Sequence, residues 1–296
     1  MTNATDELVR VLKALADPIR MRIVALCRHG ECSVSELTRV LSHSQPRISQ
    51  HLRQLCDAEL LERFRDGQFA YYRVPLRTGH AAAHRRLLGL LPDGEPAFQK
   101  DVERLRKLRA TGEAAAVSAA ADADTRRLHR GLVELTVAAP LGDLLDIGCG
   151  HGRVLKLLAS RAHRAVGVDI DADARQFARA ELLVAGVENA SLRQGTMYEL
   201  PFADREFDTV VLDDVLGDAD EPLAVVREAG RLVKPTGRLL LLATVDGDSA
   251  GKTAGCFADW CRDADLRLAS PRRIPRRNPH WLLAVATPAG AESAAA

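Results

Sequence analysis

Leu144-Leu-Asp-Ile-Gly-Cys-Gly-His-Gly-Arg-Val-Leu-Lys-Leu-Leu-Ala159 passes from an apolar run through a glycine turn into a helical repeat. Leu144–Ile147 reads as a buried parallel strand, and Val154, Leu155, Leu157 and Leu158 recur at the helical period. Between them Gly148, Gly150 and Gly152 let the turn take positive φ and let its backbone approach a bound molecule. The helix N-terminus aims free N–H groups at the same place. A glycine triplet alone is a weak signal, because strand–turn–helix packing also uses glycine. Two carboxylates strengthen it. Asp146 closes the first strand, and Ala165-Val-Gly-Val-Asp169 supplies a second strand ending in an acid about twenty residues on, where a carboxylate accepts from ribose hydroxyls. Gly152 lies two places after Gly150 rather than three, which argues against a nicotinamide cofactor.

Beyond the turn, strands and helices alternate, the mark of a doubly wound parallel sheet. Strands are expected near 143–148, 165–169, 190–194, 207–213, 238–243, 266–270 and 281–287. On these residues the segment from about 130 to 288 resembles the class I S-adenosylmethionine-dependent methyltransferases, a Rossmann-like seven-stranded fold whose last two strands form a hairpin. The resemblance implies that Asp146 faces the methionine amino group and Asp169 the ribose of S-adenosylmethionine or S-adenosylhomocysteine. Gly148, Gly150, Ile170, Thr196, Met197 and Asp213 complete the implied cofactor-binding set. Relatives commonly carry an Asp at the Thr196 position to accept from the adenine amino group; a threonine accepts more weakly than a carboxylate. Met197 lies either against the purine or in the core.

The fourth strand, Phe207-Asp-Thr-Val-Val-Leu-Asp-Asp-Val-Leu-Gly217, ends where the methyl acceptor would approach. Relatives often show histidines here; this chain has Asp213, Asp214 and Gly217. Asp213 or Asp214 can act as a base or meet a cationic acceptor, or can simply cap the next helix, so the catalytic residues stay unassigned. His151 reads as a solvated loop residue.

The whole chain has 296 residues, enough for two domains and a connector, and a net charge of +1, so a nucleic-acid surface has to be local. Its six cysteines follow no disulfide framework, which fits a reducing cytoplasm. No signal peptide and no membrane-length apolar run is visible in it.

Ahead of the sheet, four helices are expected. The first runs from Asp6 with Leu8, Val9, Leu12 and Leu15 on one face. The second is capped by Asp17 and opened by Pro18. The third is started by a capping box of Ser33 and Glu36. The fourth opens at Pro46 and turns Ile48, Leu52 and Leu55 inward. Its outward residues Ser44, Gln45, Arg47, Ser49, Gln50 and Arg53 are of the types that read base edges and phosphates. Leu60–Val74 reads as a hairpin about Asp66-Gly67, a wing carrying Arg65 and Gln68 toward the same duplex.

Leu15-Ala-Asp-Pro-Ile-Arg-Met-Arg-Ile-Val24 and Ser44-Gln-Pro-Arg-Ile-Ser-Gln-His-Leu52 resemble the ArsR-type winged helix-turn-helix regulators. That resemblance implies a homodimer, packed through the first helix and one near Ala81–Leu91, on palindromic double-stranded operator DNA. Metal-sensing members carry Cys-x-Cys in the third helix, where this chain has Ser33 and Ser35, so no metal site is expected. Cys32 and Cys56 remain as either a redox pair or core filler. Glu59 replaces the usual glycine before the wing, which suggests a reshaped turn.

The expected organisation is a DNA-binding and dimerisation domain over 1–90, a helical connector over 91–129, the methyltransferase-like domain over 130–288 and a disordered tail over 289–296. Two functions follow from it, and a third, an arsenic- or metal-sensing repressor, is disfavoured by Ser33 and Ser35. One is a regulator that senses the adenosyl ligand. The other is a methyltransferase acting on a small metabolite, with the winged helix as its regulatory module.

Overall fold

The computed structural model describes residues 4–66, 69–75, 87–92, 94–110, 123–137, 140–246, 249–275 and 279–290. The chain forms two compact units, one of residues 1–116 with 179–188, the other of 117–178 with 189–296.

In the N-terminal unit, α1 (Ala4–Leu15), α2 (Pro18–Arg28), α3 (Val34–Leu41) and α4 (Gln45–Asp57) precede the hairpin β2 (Glu62–Asp66) and β3 (Phe69–Arg73). A two-residue strand β1 (Cys32–Ser33) pairs with β3, making the order β1-β3-β2. The caps are those the residue types require. Asp17 accepts from the N–H groups of Ile19 and Arg20, and Ser33 and Glu36 form the reciprocal capping box on α3. Ile23, Leu26, Leu37, Ile48, Leu52 and Leu55 fill the core.

Two results differ from expectation. Helix α5 (Pro96–Ala110) falls in the span read as a connector, yet Val102 and Leu105 are buried in the N-terminal core and Arg22 holds the buried Asp101 at 2.6 and 2.7 Å. An Ala-poor apolar stripe found its partner surface on α2 and α3. The turn before the wing is not reshaped either, because Glu59 itself adopts φ +57°, the conformation glycine would take. A left-handed non-glycine residue costs roughly 1 kcal/mol, while the exposed Arg10–Glu59 pair at 3.5 Å returns little. Glu59→Gly is therefore expected to stabilise the unit by about 0.5–1 kcal/mol in urea unfolding followed by far-UV circular dichroism; a destabilisation would contradict this.

Charged groups lie deep in this unit. Arg109 donates to Glu36 at 2.7 Å and to the Glu31 carbonyl at 2.5 Å. Arg179 donates to Glu31 at 3.0 Å and Asp66 at 2.6 Å, with its guanidinium over the Tyr71 ring.

The C-terminal unit begins with α6 (Ala123–Thr136). Strands β4 (Asp143–Ile147), β5 (Arg164–Asp169), β6 (Ala190–Gln194), β7 (Phe207–Asp213) and β8 (Val233–Thr244) then run parallel, joined by α7 (Arg153–Leu158), α8 (Ala172–Val184) and α9 (Pro222–Leu232). After α10 (Ser249–Asp263) come β9 (Leu266–Leu268), β10 (Arg272–Ile274) and β11 (Trp281–Pro288), the last antiparallel to β8. The order is β10-β11-β8-β7-β4-β5-β6, with β9 also on β11. The strand expected over 266–270 is β9, and a further edge strand that was not expected, β10, follows Pro271, which has no N–H to donate; both pair with β11. The chain reverses direction across the sheet on either side of β4, which makes the carboxyl end of β4 the switch point where ligands bind in such folds.

Residues 1–3, 67–68, 76–86, 93, 111–122, 138–139, 247–248, 276–278 and 291–296 lie outside the description. With them go Gln68, most of the expected second dimer helix, much of the connector and most of the tail.

Candidate functional site

The strand β4 ends at Ile147 and the chain turns through Gly148 and Gly150 at φ +68° and +49°. The two glycines serve different purposes. A Cβ on Gly148 would come within 2.6 Å of the Val215 side chain, so this position lets the β7 loop pass close by. A Cβ on Gly150 would meet nothing within 4 Å, so this backbone faces open space that a ligand can fill. The N–H groups of Gly148 and Cys149 are spent on the Val168 carbonyl, and that of Gly150 on the Asp169 carboxylate at 2.7 Å.

Sheet register arranges the acids. Ile147 is opposite Val168 on one side and Leu212 on the other, so Asp169 and Asp213 flank the Gly148 turn, one strand away on each side. Asp146 lies beneath them, 1% exposed, and neither of its carboxylate oxygens has a hydrogen-bond partner. Burial first, then the neighbouring Asp213 and Asp169, push its pKa well above the usual carboxylate range, with Arg153 only partly opposing.

Arg153 escaped the sequence reading. It opens α7, where a cation is disfavoured by the helix dipole, and that breach of the rule was the signal available. Its guanidinium grips Asp213 at 2.6 and 3.1 Å and reaches Asp214 at 3.2 Å. Burial raises the Asp213 pKa even so, with the Arg153 bond pulling the other way. Asp214 adopts φ +58° and accepts from the Thr244 hydroxyl at 2.5 Å and from the Thr244 N–H. Both acids named as candidate bases are thus already engaged.

The remaining expected residues gather at the same end of the sheet. Ile170 follows Asp169 and is 66% exposed, an apolar side chain left uncovered beside the turn. In the loop after β6, Thr196 is exposed and Met197 packs partly on the core. Tyr198 from that loop accepts the Asp220 N–H at 3.0 Å, tying it to the segment after β7. His151 is exposed and rests on the Phe177 ring with centroids 4.4 Å apart.

These features fit an adenosyl ligand. An unpaired buried carboxylate calls for a cation such as the methionine ammonium, Asp169 retains lone pairs for ribose hydroxyls, and the exposed Ile170 offers an apolar surface to a purine.

In the N-terminal unit, α4 buries Ile48, Leu52 and Leu55 and exposes Gln45, Arg47, Ser49, Gln50 and Arg53 on the opposite side. Ser44 precedes the helix without capping it through its side chain, so the hydroxyl is not committed to the helix. Arg65 is exposed on β2. On α1, Leu8, Val9 and Leu12 are each more than 40% exposed, a contiguous apolar face. Ser33 and Ser35 hydrogen-bond each other at 3.0 Å where thiolates would otherwise stand. Cys32 is buried beside Cys27, whose thiol is pushed up by that neighbour and by burial. Among the described residues no cluster of His, Cys, Asp and Glu is disposed to hold a metal, and no helix is long and apolar enough to cross a membrane.

Comparison with known proteins finds two family models. Residues 17–63 match the bacterial regulatory protein, arsR family, and residues 145–241 match a methyltransferase domain. The arsenic resistance transcriptional regulator ArsR1 of Pseudomonas putida is 51% identical over 65 residues, 22% of this chain and 51% of that protein. The transcriptional repressor SdpR of Bacillus subtilis is 39% identical over 62 residues, 21% of this chain and 69% of that protein. A ubiquinone biosynthesis O-methyltransferase of Alkalilimnicola ehrlichii is 37% identical over 98 residues, 33% of this chain and 39% of that protein. The chain therefore spans about half the length, or less, of the first and third of these relatives.

Proposed function

Proceeding from a chain that belongs through its N-terminal domain to the arsR family of bacterial regulatory proteins and carries a methyltransferase domain behind it, we propose that it is a cytoplasmic DNA-binding transcriptional regulator whose operator affinity is set by an adenosyl ligand. The observation that carries the ligand half of this reading is the fully buried, unpartnered carboxylate of Asp146 beneath an open glycine turn. Asp146 would hold the methionine ammonium, Asp169 the ribose, and Gly148, Gly150, Ile170, Thr196 and Met197 would line the remainder. S-adenosylmethionine, when bound, presents a methyl group on a sulfonium. Asp213 and Asp214 are held by Arg153 and Thr244, which favours a binding role for them over that of a general base.

The DNA half rests on the exposed face of α4 with Ser44 and Arg65 beside it, donors suited to base edges and phosphates. A second copy of the chain would cover Leu8, Val9 and Leu12 of α1, giving the two-fold arrangement that a palindromic operator needs. A ligand shifts operator affinity only by its differential affinity for the bound and free states, commonly 5- to 150-fold, roughly. Titration of operator DNA at fixed salt, with and without ligand, is expected to show a shift of about tenfold; an unchanged affinity refutes the sensing role. Labelled methyl transfer to a metabolite in the same preparation would instead favour the enzyme.

A further inference from the structure

The carboxylates around the turn exceed the charge needed to hold an ammonium and a ribose. Asp146, Asp169, Asp213 and Asp214 converge there, and Asp146 has no partner. Among the described residues two guanidiniums are bonded to this cluster. Arg153 is shared between Asp213 and Asp214, and Arg175, 1% exposed, donates to the Asp169 carbonyl at 2.9 Å. Asp213 has a side chain only 11% exposed, so its charge is poorly screened by water.

The two adenosyl ligands differ by one methyl group and one positive charge. Both present an ammonium and a carboxylate, so Asp146 recognises them alike. S-adenosylmethionine alone is a sulfonium, and S-adenosylhomocysteine is a neutral thioether. Surplus negative charge at the acceptor side of the turn acts on that difference, because a unit charge a few ångströms away counts for much more in a partly buried site than in water.

We propose that Asp213 and Asp214, with Arg153 neutralising only one of them, make the site selective for the cationic S-adenosylmethionine, so that the regulator responds to the methyl donor and not to its demethylated product. This rests on the adenosyl reading of the turn. It gives the acid pair held by Arg153 and Thr244 a role in ligand discrimination.

The test is calorimetry of the full chain with three probes: S-adenosylmethionine, S-adenosylhomocysteine, and the amine analogue that bears an ammonium in place of the sulfonium. The first is expected to bind about tenfold or more tightly than the second, and the analogue to follow the first, since it keeps the charge without the methyl sulfonium. Asp213→Asn and Asp214→Asn, made separately, should each lower the preference about three- to tenfold. Measurable binding of S-adenosylhomocysteine by each variant shows that its site is still folded. Equal affinity for the two natural ligands, or a preference unchanged in both variants, overturns the selectivity while leaving the adenosyl site standing. Binding of none of the three probes removes the adenosyl reading and the selectivity together.

Discussion

Asp146→Asn is expected to make the ligand-free C-terminal unit more stable while costing about 10- to 100-fold in affinity for an adenosyl ligand. The two effects have one cause. A buried carboxylate with no hydrogen bond destabilises the empty fold, and its raised pKa expresses that penalty. Because the folded state favours the protonated form, its contribution is fully retained below the ordinary value of 3.8 and is lost as pH rises through the raised folded value. The amide has no charge to desolvate, so the variant should gain about 1–3 kcal/mol at neutral pH and lose that part of the pH dependence. Trp260 and Trp281, the chain's only tryptophans, both lie in this unit, so their fluorescence follows its unfolding selectively. A less stable variant, or one that retains full ligand affinity, would show that Asp146 is a structural residue.

Arg109→Met is expected to have the opposite character, a large loss of stability in the N-terminal unit and with it of operator binding. Arg109 is 7% exposed in its side chain and carries the only cation bonded to Glu36 among the described contacts, besides donating to the Glu31 carbonyl. Burial works against the Glu36 carboxylate, but Arg109 and the Ser33 capping bonds outweigh it and hold its pKa below the usual 4.5. Removing one partner strands the other charge, which in partly buried surroundings costs about 2–4 kcal/mol. For a depressed carboxylate pKa, the stabilisation exists above the unfolded value near 4.5 and disappears as pH falls through the folded value. The wild-type unit should therefore lose stability on acidification below about 4.5, and the Arg109→Met unit should show a weaker or reversed dependence. Far-UV circular dichroism against urea at several pH values reads both. A loss under about 0.5 kcal/mol would mean that water reaches Glu36 freely.

Much of the local structure was legible because short-range chemistry specifies it. Asp17-Pro18 and the Ser33–Glu36 pair each satisfy backbone donors within a few residues of themselves, and both caps form where the residue types placed them. The parallel strands were readable for a related reason, since strands buried on both faces appear as unbroken apolar runs. Glu59 misled because φ is not written in a side chain: the turn kept its left-handed residue and accepted the strain. Helix α5 misled because an Ala/Arg/Glu/Lys helix looks alike whether it spans a gap or packs on a core; Val102 and Leu105 decide it, and their partners on α2 and α3 are far off in the chain.

From its residues alone this chain determined the order of its elements, the glycine turn with an acid before and after it, and the polar face of a helix suited to DNA, all of which depend on neighbours within one or two turns or on a periodicity of two or 3.6. Only the folded sheet decided which charges meet. Arg153 reaches Asp213 sixty residues away because β7 lies beside β4. Asp146 has no hydrogen-bond partner, while Arg153, the cation that acts on it, is bonded to Asp213 and Asp214. Electrostatic energy depends on distance and dielectric in three dimensions, and neither is a property of sequence spacing.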